Sequence, residues 1–373
     1  MSYQIAVIKG DGIGPEISRE AVKVLKQIGE IYEHNFEIKE VSGAGDAVDK
    51  YNDPLPDETL KVCLESDAVL IGNIGGSKWN NVELDKKPVK SILKLRKALK
   101  ATSNLRPITL NKNLQKFSPL KESIISKGID ILVVRDLAGS VICGEKNCCE
   151  GKFGREASDL EYYNEQIVRR SAIKAFEAAK TRKNLVSSIE KSNVLASSKL
   201  WKEVVIETSD NYPQVQVKHH LVDTAAMEVI LNPEKFDVIV TSNMFGDILA
   251  DELSQITGIA CMLPSAELDE NGKGIFTPNQ LHHPDESIIG KDRANPIGLI
   301  SSVALMLRYS FNMIEEADII ERAINKTIDR GYRTEDIFSI GDKLVGTQTM
   351  GDMICQSIRD LVKEELEINN KAI

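Results

Sequence analysis

The sequence predicts an α/β protein with a largely parallel sheet that helices cover on both faces. Short apolar, β-branched runs alternate with longer segments whose apolar residues recur at helical spacing. This alternation, with strands that are apolar throughout, is typical of parallel sheets. Because 373 residues exceed the size of one ordinary core, we expect two domains or one large α/β unit.

The predicted elements follow one another along the whole chain. Strands are predicted at residues 5–9, 36–41, 68–71, 131–134, 184–189, 215–223 and 236–240. Helices are predicted to begin at Pro15 and Asp247 and to cover residues 164–183, 192–204, 225–231 and 297–309. Residues 277–296 are predicted to be a long polar loop.

Net charge and cysteine usage limit the classes of partner and compartment. The formal net charge of -9 argues against a nucleic-acid or membrane partner. No apolar run reaches membrane-spanning length, no signal-peptide pattern opens the chain, and the six cysteines form no spaced framework. We therefore expect a cytoplasmic protein with reduced thiols. Cys143, Cys148 and Cys149 are interpreted as thiols in a mobile loop rather than as a soft metal site.

Residues 241–252 contain two aspartates that could hold a metal ion. Gly246 can turn the chain after the preceding strand, and helical spacing begins at Asp247. Asp247 and Asp251 then lie four residues apart on one helix face, where two like charges destabilise the helix. A divalent cation between them would remove that repulsion. The alternative is a first-turn aspartate favoured by the helix dipole and an unrelated exposed one.

A glycine-rich turn follows the first predicted strand. Gly10, Gly12 and Gly14 suggest a dinucleotide-binding loop, but the third glycine comes one residue too early for the Rossmann fingerprint. A simple turn between strand and helix is the alternative.

Several charged residues lie at or near predicted strand ends, where α/β sheets bind ligands. Arg135 is one of these, whereas Arg106 lies in the stretch 104–107 and Arg96 on a probable helix. Arginine suits bidentate recognition of carboxylates, although surface salt bridges are the alternative. Lys191 and Asp223 also follow strands, where a lysine could transfer a proton or could be a solvated strand end.

Five motifs together carry a resemblance to a known family. They are residues 10–16, 104–107, 190–195, 243–252 and 294–296. In this order they resemble the metal-dependent β-decarboxylating dehydrogenases, the family of 3-isopropylmalate and isocitrate dehydrogenases. The resemblance implies a two-domain α/β fold that is not a Rossmann fold. It implies a large cofactor-side domain (residues 1–101 and 258–373) and a smaller domain with dimer contacts (residues 102–257).

The resemblance also implies an activity and roles for individual residues. We expect oxidation, and decarboxylation, of a 3-substituted malate such as 3-isopropylmalate with NAD rather than NADP, as in leucine biosynthesis. Arg96, Arg106 and Arg135 would bind the substrate carboxylates, and Ile92 and Leu93 its alkyl group. Mg²⁺ or Mn²⁺ would be bound by Asp223, Asp247 and Asp251, and Lys191 would accept the hydroxyl proton. Each site of a homodimer would borrow the catalytic Lys191 and Asp223 from the partner. Cofactor contacts are expected from Ile13, Gly274, Asp285 and Asn295.

Three departures from the family pattern leave a second hypothesis open. Ile142 replaces a tyrosine that donates a proton, and Val89 replaces a glutamate near the nicotinamide ribose. The adenosine loop is also altered around His282 and Asp285. The alternative is a non-catalytic or regulatory homologue that binds the metal–hydroxyacid complex and controls a partner subunit.

Overall fold

The computed structural model describes residues 2–282 and 286–371. The strands are β1 (Ser2–Ile8), β2 (Asn35–Val41), β3 (Ala68–Ile71), β4 (Ser103–Thr109), β5 (Asp130–Asp136), β6 (Lys146–Gly151), β7 (Gly154–Asp159), β8 (Leu185–Glu190), β9 (Gln216–Leu221), β10 (Val238–Thr241), β11 (Pro264–Leu268), β12 (Gly274–Pro278), β13 (Tyr332–Arg333) and β14 (Lys343–Leu344). The α-helices are α1 (Gly14–Tyr32), α2 (Ala44–Tyr51), α3 (Asp57–Glu65), α4 (Val89–Ala98), α5 (Glu122–Ile125), α6 (Ser140–Cys143), α7 (Glu165–Lys180), α8 (Ala196–Ser209), α9 (Val222–Leu231), α10 (Asn243–Thr257), α11 (Ile297–Tyr309), α12 (Ile314–Asp329) and α13 (Thr347–Lys371).

The chain forms two compact units. The split unit contains Met1–Lys100 and Ile259–Ile373, and the middle unit contains Ala101–Gly258. The assignment of one to the cofactor and the other to dimer contacts stays a prediction.

The split unit is built on strands in the order β2-β1-β3-β12-β11. These pairs are parallel except β11 with β12, which is antiparallel. Helix α11 packs against β11, β12 and β3, whereas α3 packs against β1 and β2. Apolar side chains from β1, β3, α4 and β12 meet in one buried cluster that includes Ile8, Ile71, Leu95 and Ile275.

The middle unit has the strand order β4-β5-β10-β8-β9. All of these pairs are parallel except β4 with β5. Helix α7 packs against β5, β8 and β10, and α10 packs against β4, β5 and β10. The largely parallel sheet with flanking helices confirms the predicted α/β class. Across residues 2–282 and 286–371, every helix is too short or too polar to cross a membrane.

The glycine-rich turn between β1 and α1 has a structural role. The buried carboxylate of Asp11 accepts backbone N–H bonds from Gly45, Asp46 and Gly75 over 2.8–3.0 Å. Gly10 has a φ of +77°, and a Cβ there would lie 2.1 Å from the carbonyl oxygen of Asn73. The turn is therefore held against the first turn of α2 and the segment after β3.

The prediction that α10 begins at Asp247, after a turn at Gly246, is wrong. The helix begins at Asn243, whose backbone N–H donates to the hydroxyl of Tyr163 over 2.9 Å. Gly246 lies inside the helix, where a Cβ would come within 2.8 Å of the Arg135 side chain. Glycine at this position lets α10 approach β5 closely.

Two other predictions also need correction. The segment around Cys148 and Cys149, predicted as a mobile loop, contains the strand β6, which pairs antiparallel with β7. All six cysteines are thiols, as expected. The predicted loop 277–296 starts inside β12 and contains a short 3₁₀ helix, Glu286–Ile288.

Candidate active site

Arg135 near the end of β5 bridges two residues of α10. Its Nε and Nη2 donate to Asn243 Oδ1 over 3.1 and 2.8 Å, and its Nη1 pairs with Asp247. Asn243 in turn donates from Nδ2 to the carbonyl oxygen of Gly139 over 3.2 Å. Because Arg135 is only 5% exposed, these contacts hold its guanidinium in one place.

Arg106 reaches the same helix from β4. Its Nη1 donates to Asp251 Oδ1 over 2.8 Å, and its Nη2 lies 3.6 Å from Asp247 Oδ1. Its Nε donates to Asn104 Oδ1 over 2.9 Å, which orients the guanidinium. The side chains of Asp247 and Asp251 are 46% and 71% exposed. Two guanidinium groups therefore neutralise two carboxylates that a ligand can reach.

Asp247 and Asp251 have the chemistry of a divalent-cation site. They lie one turn apart on α10 and offer carboxylate oxygens, which Mg²⁺ and Mn²⁺ prefer. Within the described part of one chain, no group of three or more His, Cys, Asp or Glu side chains could hold a metal ion. One chain therefore does not bring the third predicted ligand, Asp223, to this pair.

Lys191 and Asp223 form a second charged pair in the middle unit. Lys191 follows β8 and Asp223 lies in the first turn of α9, directly after the neighbouring parallel strand β9. Lys191 Nζ donates to Asp223 Oδ1 over 2.6 Å, and this hydrogen bond lowers the pKa of Asp223. The structure thus joins the predicted proton acceptor to a carboxylate that is 61% exposed.

The loop after β5 carries Ile142 and is held by the buried Asp136. The Asp136 carboxylate accepts hydrogen bonds from the backbone N–H groups of Ala138 and Gly139 over 3.0 and 2.7 Å and from the hydroxyl of Ser171 over 3.2 Å. Burial nevertheless raises the pKa of Asp136 to about 6. Ile142 lies in the short helix α6 with its side chain exposed.

In the split unit, Arg96 pairs with a residue that the sequence reasoning missed. Its Nε and Nη2 donate to the two carboxylate oxygens of Glu267 over 2.7 and 2.5 Å. Glu267 lies in β11, where each residue is buried. Glu267 is the single acidic residue in an otherwise uncharged strand, and a buried acid needs a cationic partner. This pattern in the sequence could have pointed to it.

The predicted alkyl-binding residues differ in accessibility. Ile92 on α4 is 2% exposed and belongs to the buried core cluster of the split unit. Leu93, the next residue, is 42% exposed. Of the two, Leu93 is the side chain that a ligand can contact.

A cavity of about 590 Å³ in the split unit contains two of the predicted cofactor residues. Its lining includes Ile13 and Asn295, together with Ile17, Asn73, Cys261, Pro278, Gln280, His282, Ile288, Arg293, Glu335 and Asp336. Asn295 Nδ2 and the Cys261 thiol both donate to Asp336 Oδ2, over 3.0 and 2.8 Å. Burial, and then Asp336, raise the pKa of the Cys261 thiol, which favours its neutral form.

The two remaining cofactor predictions have different outcomes. Gly274 begins β12, opposite Leu268, and the cavity lining does not include it. Asp285 lies outside the described residues.

Comparisons with known proteins agree with this architecture. A largely parallel sheet with charged groups after its strands is typical of ligand-binding α/β proteins. The family model "Isocitrate/isopropylmalate dehydrogenase" matches residues 4–354, and the chain belongs to this family. The family resemblance and the fold expected from it are therefore confirmed.

Individual relatives match over nearly their whole length. The 3-isopropylmalate dehydrogenase of Clostridium acetobutylicum is 47% identical over 352 residues, which cover 94% of this chain and 98% of that protein. The enzyme of the same name from Aquifex aeolicus is 46% identical over 360 residues, which cover 96% and 98%. An isocitrate dehydrogenase structure from Methylococcus capsulatus has a TM-score of 0.80 at 26% identity and covers 96% of this chain and 99% of that one. A β-decarboxylating dehydrogenase structure from Thermococcus kodakarensis has a TM-score of 0.78 at 30% identity and covers 97% of both chains.

Proposed function

We propose that this protein oxidises 3-isopropylmalate, or a closely related 3-substituted malate, with a divalent cation and NAD. The observation that carries this proposal is the cluster of Arg106, Arg135, Asp247 and Asp251, which combines groups for a dicarboxylate with groups for a cation. The names of relatives that are 44–47% identical over nearly the whole chain support the same substrate.

The metal site would take its ligands from two subunits. Asp247 and Asp251 of one chain fit a hard cation, and Asp223 of the partner subunit would complete the set. A bound cation would polarise the substrate hydroxyl and its neighbouring carboxylate, and bound NAD would accept the hydride.

The arginines and Lys191 act directly on the substrate. Arg106 and Arg135 bind its carboxylates, because each guanidinium is already oriented by a side-chain amide, that of Asn104 or Asn243. In its neutral form Lys191 accepts the proton from the hydroxyl, and its hydrogen bond to Asp223 keeps the Nζ atom in a defined position. Leu93 contacts the alkyl substituent, with Ile92 supporting it from the core.

Ile142 limits the second half of the reaction. An isoleucine has no proton to donate after CO₂ leaves, so another donor must replace the tyrosine that the family has at this position. We therefore expect oxidation to be faster than decarboxylation. The same residue favours the regulatory alternative, which full turnover by the homodimer alone would exclude.

The cavity of the split unit is proposed as the NAD site. Ile13 and Asn295 line it, and Asp285 is proposed to bind the ribose hydroxyls. A volume of about 590 Å³ is within the usual range of ligand pockets.

The charges in the cavity favour NAD over NADP. Glu335 and Asp336 both line it, and Arg293 is already paired with Glu335 through Nε and Nη2. The extra phosphate of NADP would meet carboxylates rather than an uncompensated cation.

Two features of the middle unit support a homodimer. Helices α9 and α10 contact each other and expose Met227, Leu231 and Ile248, which are 58%, 60% and 61% exposed. The strands β6 and β7 form a two-stranded sheet of their own, and such a hairpin is marginally stable without further packing. A second copy that covers both features would also supply Lys191 and Asp223 to the shared site.

The activity is tested with purified protein, Mn²⁺, NAD and 3-isopropylmalate, following reduced cofactor and released CO₂. Asp247→Asn should lower kcat/KM by at least about 100-fold, because it removes a proposed metal ligand and the loss of a ligand's supporting partner alone costs about 10–100-fold. Glu252→Gln on the same helix is the matched control and should retain turnover. Absence of cofactor reduction by the wild type with every 3-alkylmalate, isocitrate and tartrate would refute the proposal.

The dimer is tested by sedimentation. Ile248→Lys should shift the protein toward monomer and lower activity together, whereas Ile314→Lys, at an exposed position of the split unit, should change neither. A wild-type protein that sediments as a fully active monomer would contradict the shared site.

A further inference from the structure

The partly buried ion pair of Arg96 and Glu267 differs from the ion pairs that Arg106 and Arg135 form. Two guanidinium nitrogens, Nε and Nη2, contact the two oxygens of Glu267 over 2.7 and 2.5 Å. The two side chains are 23% and 8% exposed. This bidentate geometry is the strongest form of an arginine–carboxylate contact.

The partners of Arg106 and Arg135 have another role in the proposed site. Asp247 and Asp251 are proposed metal ligands, so a bound cation would compete with the arginines for them. Arg106 and Arg135 would then carry uncompensated positive charge toward the substrate.

Glu267 has no such competitor. It is not a proposed metal ligand, it lies in β11, and its neighbours in that strand are buried and uncharged. Separating it from Arg96 would leave a buried carboxylate without a partner, which is strongly unfavourable. The Arg96–Glu267 pair therefore persists when metal and substrate bind.

We infer that Glu267 is a specificity-determining residue that cancels the charge of Arg96 and thereby selects dicarboxylates over tricarboxylates. The inference rests on the proposed function and on the role of Arg96 in binding a substrate carboxylate, which the family resemblance implies. With Glu267 present, Arg96 donates hydrogen bonds without adding net positive charge to the site. A 3-substituted malate with an apolar substituent has two carboxylates, so cancelling the charge of Arg96 weakens its binding little. A substrate with a third carboxylate carries one more negative charge, and its binding is weakened more.

The test measures binding, so it does not depend on turnover. Titration calorimetry with Mn²⁺-loaded protein, without NAD, gives the Kd of 3-isopropylmalate and of isocitrate. Glu267→Gln leaves a neutral side chain of the same shape and should improve the relative affinity for isocitrate about tenfold. Glu267→Asp keeps the charge, so it should leave the ratio of the two Kd values unchanged.

A double variant guards against a loss of folding in Glu267→Gln. Arg96→Gln combined with Glu267→Gln removes both charges and should keep the wild-type ratio of Kd values, even where both affinities fall. A ratio that stays within twofold of wild type in Glu267→Gln would overturn the inference. So would a ratio that rises equally in the double variant. Wild-type protein that binds both acids but never reduces NAD would instead refute the proposed function and leave this measurement valid.

Discussion

Asp136 should make the stability of the middle unit depend on pH. Its carboxylate is 1% exposed and accepts hydrogen bonds from Ala138, Gly139 and Ser171. Burial disfavours the ionised form more strongly than these bonds favour it, so the pKa rises from 3.8 to about 6. The native state therefore holds a proton in a pH range where the unfolded chain has lost it.

The size and sign of the effect follow from this shift. The pKa of Asp136 is about 2 units higher in the native state than in the unfolded state. At about 1.4 kcal/mol per unit, this difference corresponds to about 3 kcal/mol in the free energy of unfolding. Below pH 3.8 both states are protonated, and the free energy of unfolding contains no penalty from Asp136. As pH rises to about 6, the native state loses up to this amount relative to the unfolded state. At higher pH the loss is constant.

The variant Asp136→Asn removes the titration while keeping the shape of the side chain. We expect the unfolding free energy of the wild type minus that of the variant to fall by about 2 kcal/mol between pH 4.5 and 6.5. A Trp79→Phe background leaves Trp201, which is buried in α8, as the single tryptophan. Urea denaturation followed by Trp201 fluorescence then reports on the middle unit.

A control in the same unit should change in the opposite direction. A hydrogen bond from Lys180, and then one from Tyr212, lower the pKa of Glu177. The difference between the wild type and Glu177→Gln should therefore grow as pH rises. A wild-type minus Asp136→Asn difference that is flat or rising between pH 4.5 and 6.5 would refute the reasoning.

Two further predictions concern the active site and the core of the middle unit. Ile142→Tyr should raise the ratio of CO₂ released to NADH formed, because it supplies a proton donor. Ile142→Phe has no such donor and should leave the ratio unchanged. An unchanged ratio in both variants would disprove the assignment of this position to the family's tyrosine. Arg182→Met should destabilise the protein by about 3–5 kcal/mol in urea denaturation, since it leaves the fully buried Asp237 without its cation. Arg169→Met breaks an exposed pair with Glu207 and should cost about 1 kcal/mol or less, so equal losses in the two variants would contradict the role of burial.

Much of the fold could be predicted because its strands are locally distinctive. The stretch Ala68–Ile71 is apolar and bounded by Asp67 and Gly72, and the structure has a strand there with the same bounds. The hairpin of β6 and β7 could not be predicted in this way. Each of its residues is exposed, so no burial pattern marks it in the sequence.

The start of α10 shows why element boundaries need tertiary contacts. Gly246 and Asp247 gave the local signal of a turn followed by a helix. The actual first residue, Asn243, donates its N–H to Tyr163, a residue 80 positions away. A cap supplied from such a distance leaves no trace in the residues beside the helix.

The residues of the candidate site could be predicted from their types, but their hydrogen-bond and ion-pair partners could not. Arginine and aspartate at strand ends and on one helix face indicated carboxylate and metal chemistry. The partner of Arg96 lies 171 positions away in β11, and nothing near Arg96 in the sequence points to Glu267. Ile92 and Leu93 were equivalent by type, and only the orientation of α4 distinguishes a core residue from an accessible one.

The charges of the α10 cluster connect the proposed metal and substrate sites. Arg106 and Arg135 together carry two positive charges, and Asp247 and Asp251 carry two negative ones, so the cluster is neutral as it stands. A divalent cation alone would leave both arginines facing a surplus of positive charge, and a dicarboxylate alone would compete with the aspartates for the same arginines. When both bind, the cation satisfies the aspartates, the dicarboxylate satisfies the arginines, and neutrality is kept. Either ligand alone breaks the arginine–aspartate pairs and leaves one pair of protein charges without a partner. Metal and dicarboxylate should therefore each strengthen the binding of the other.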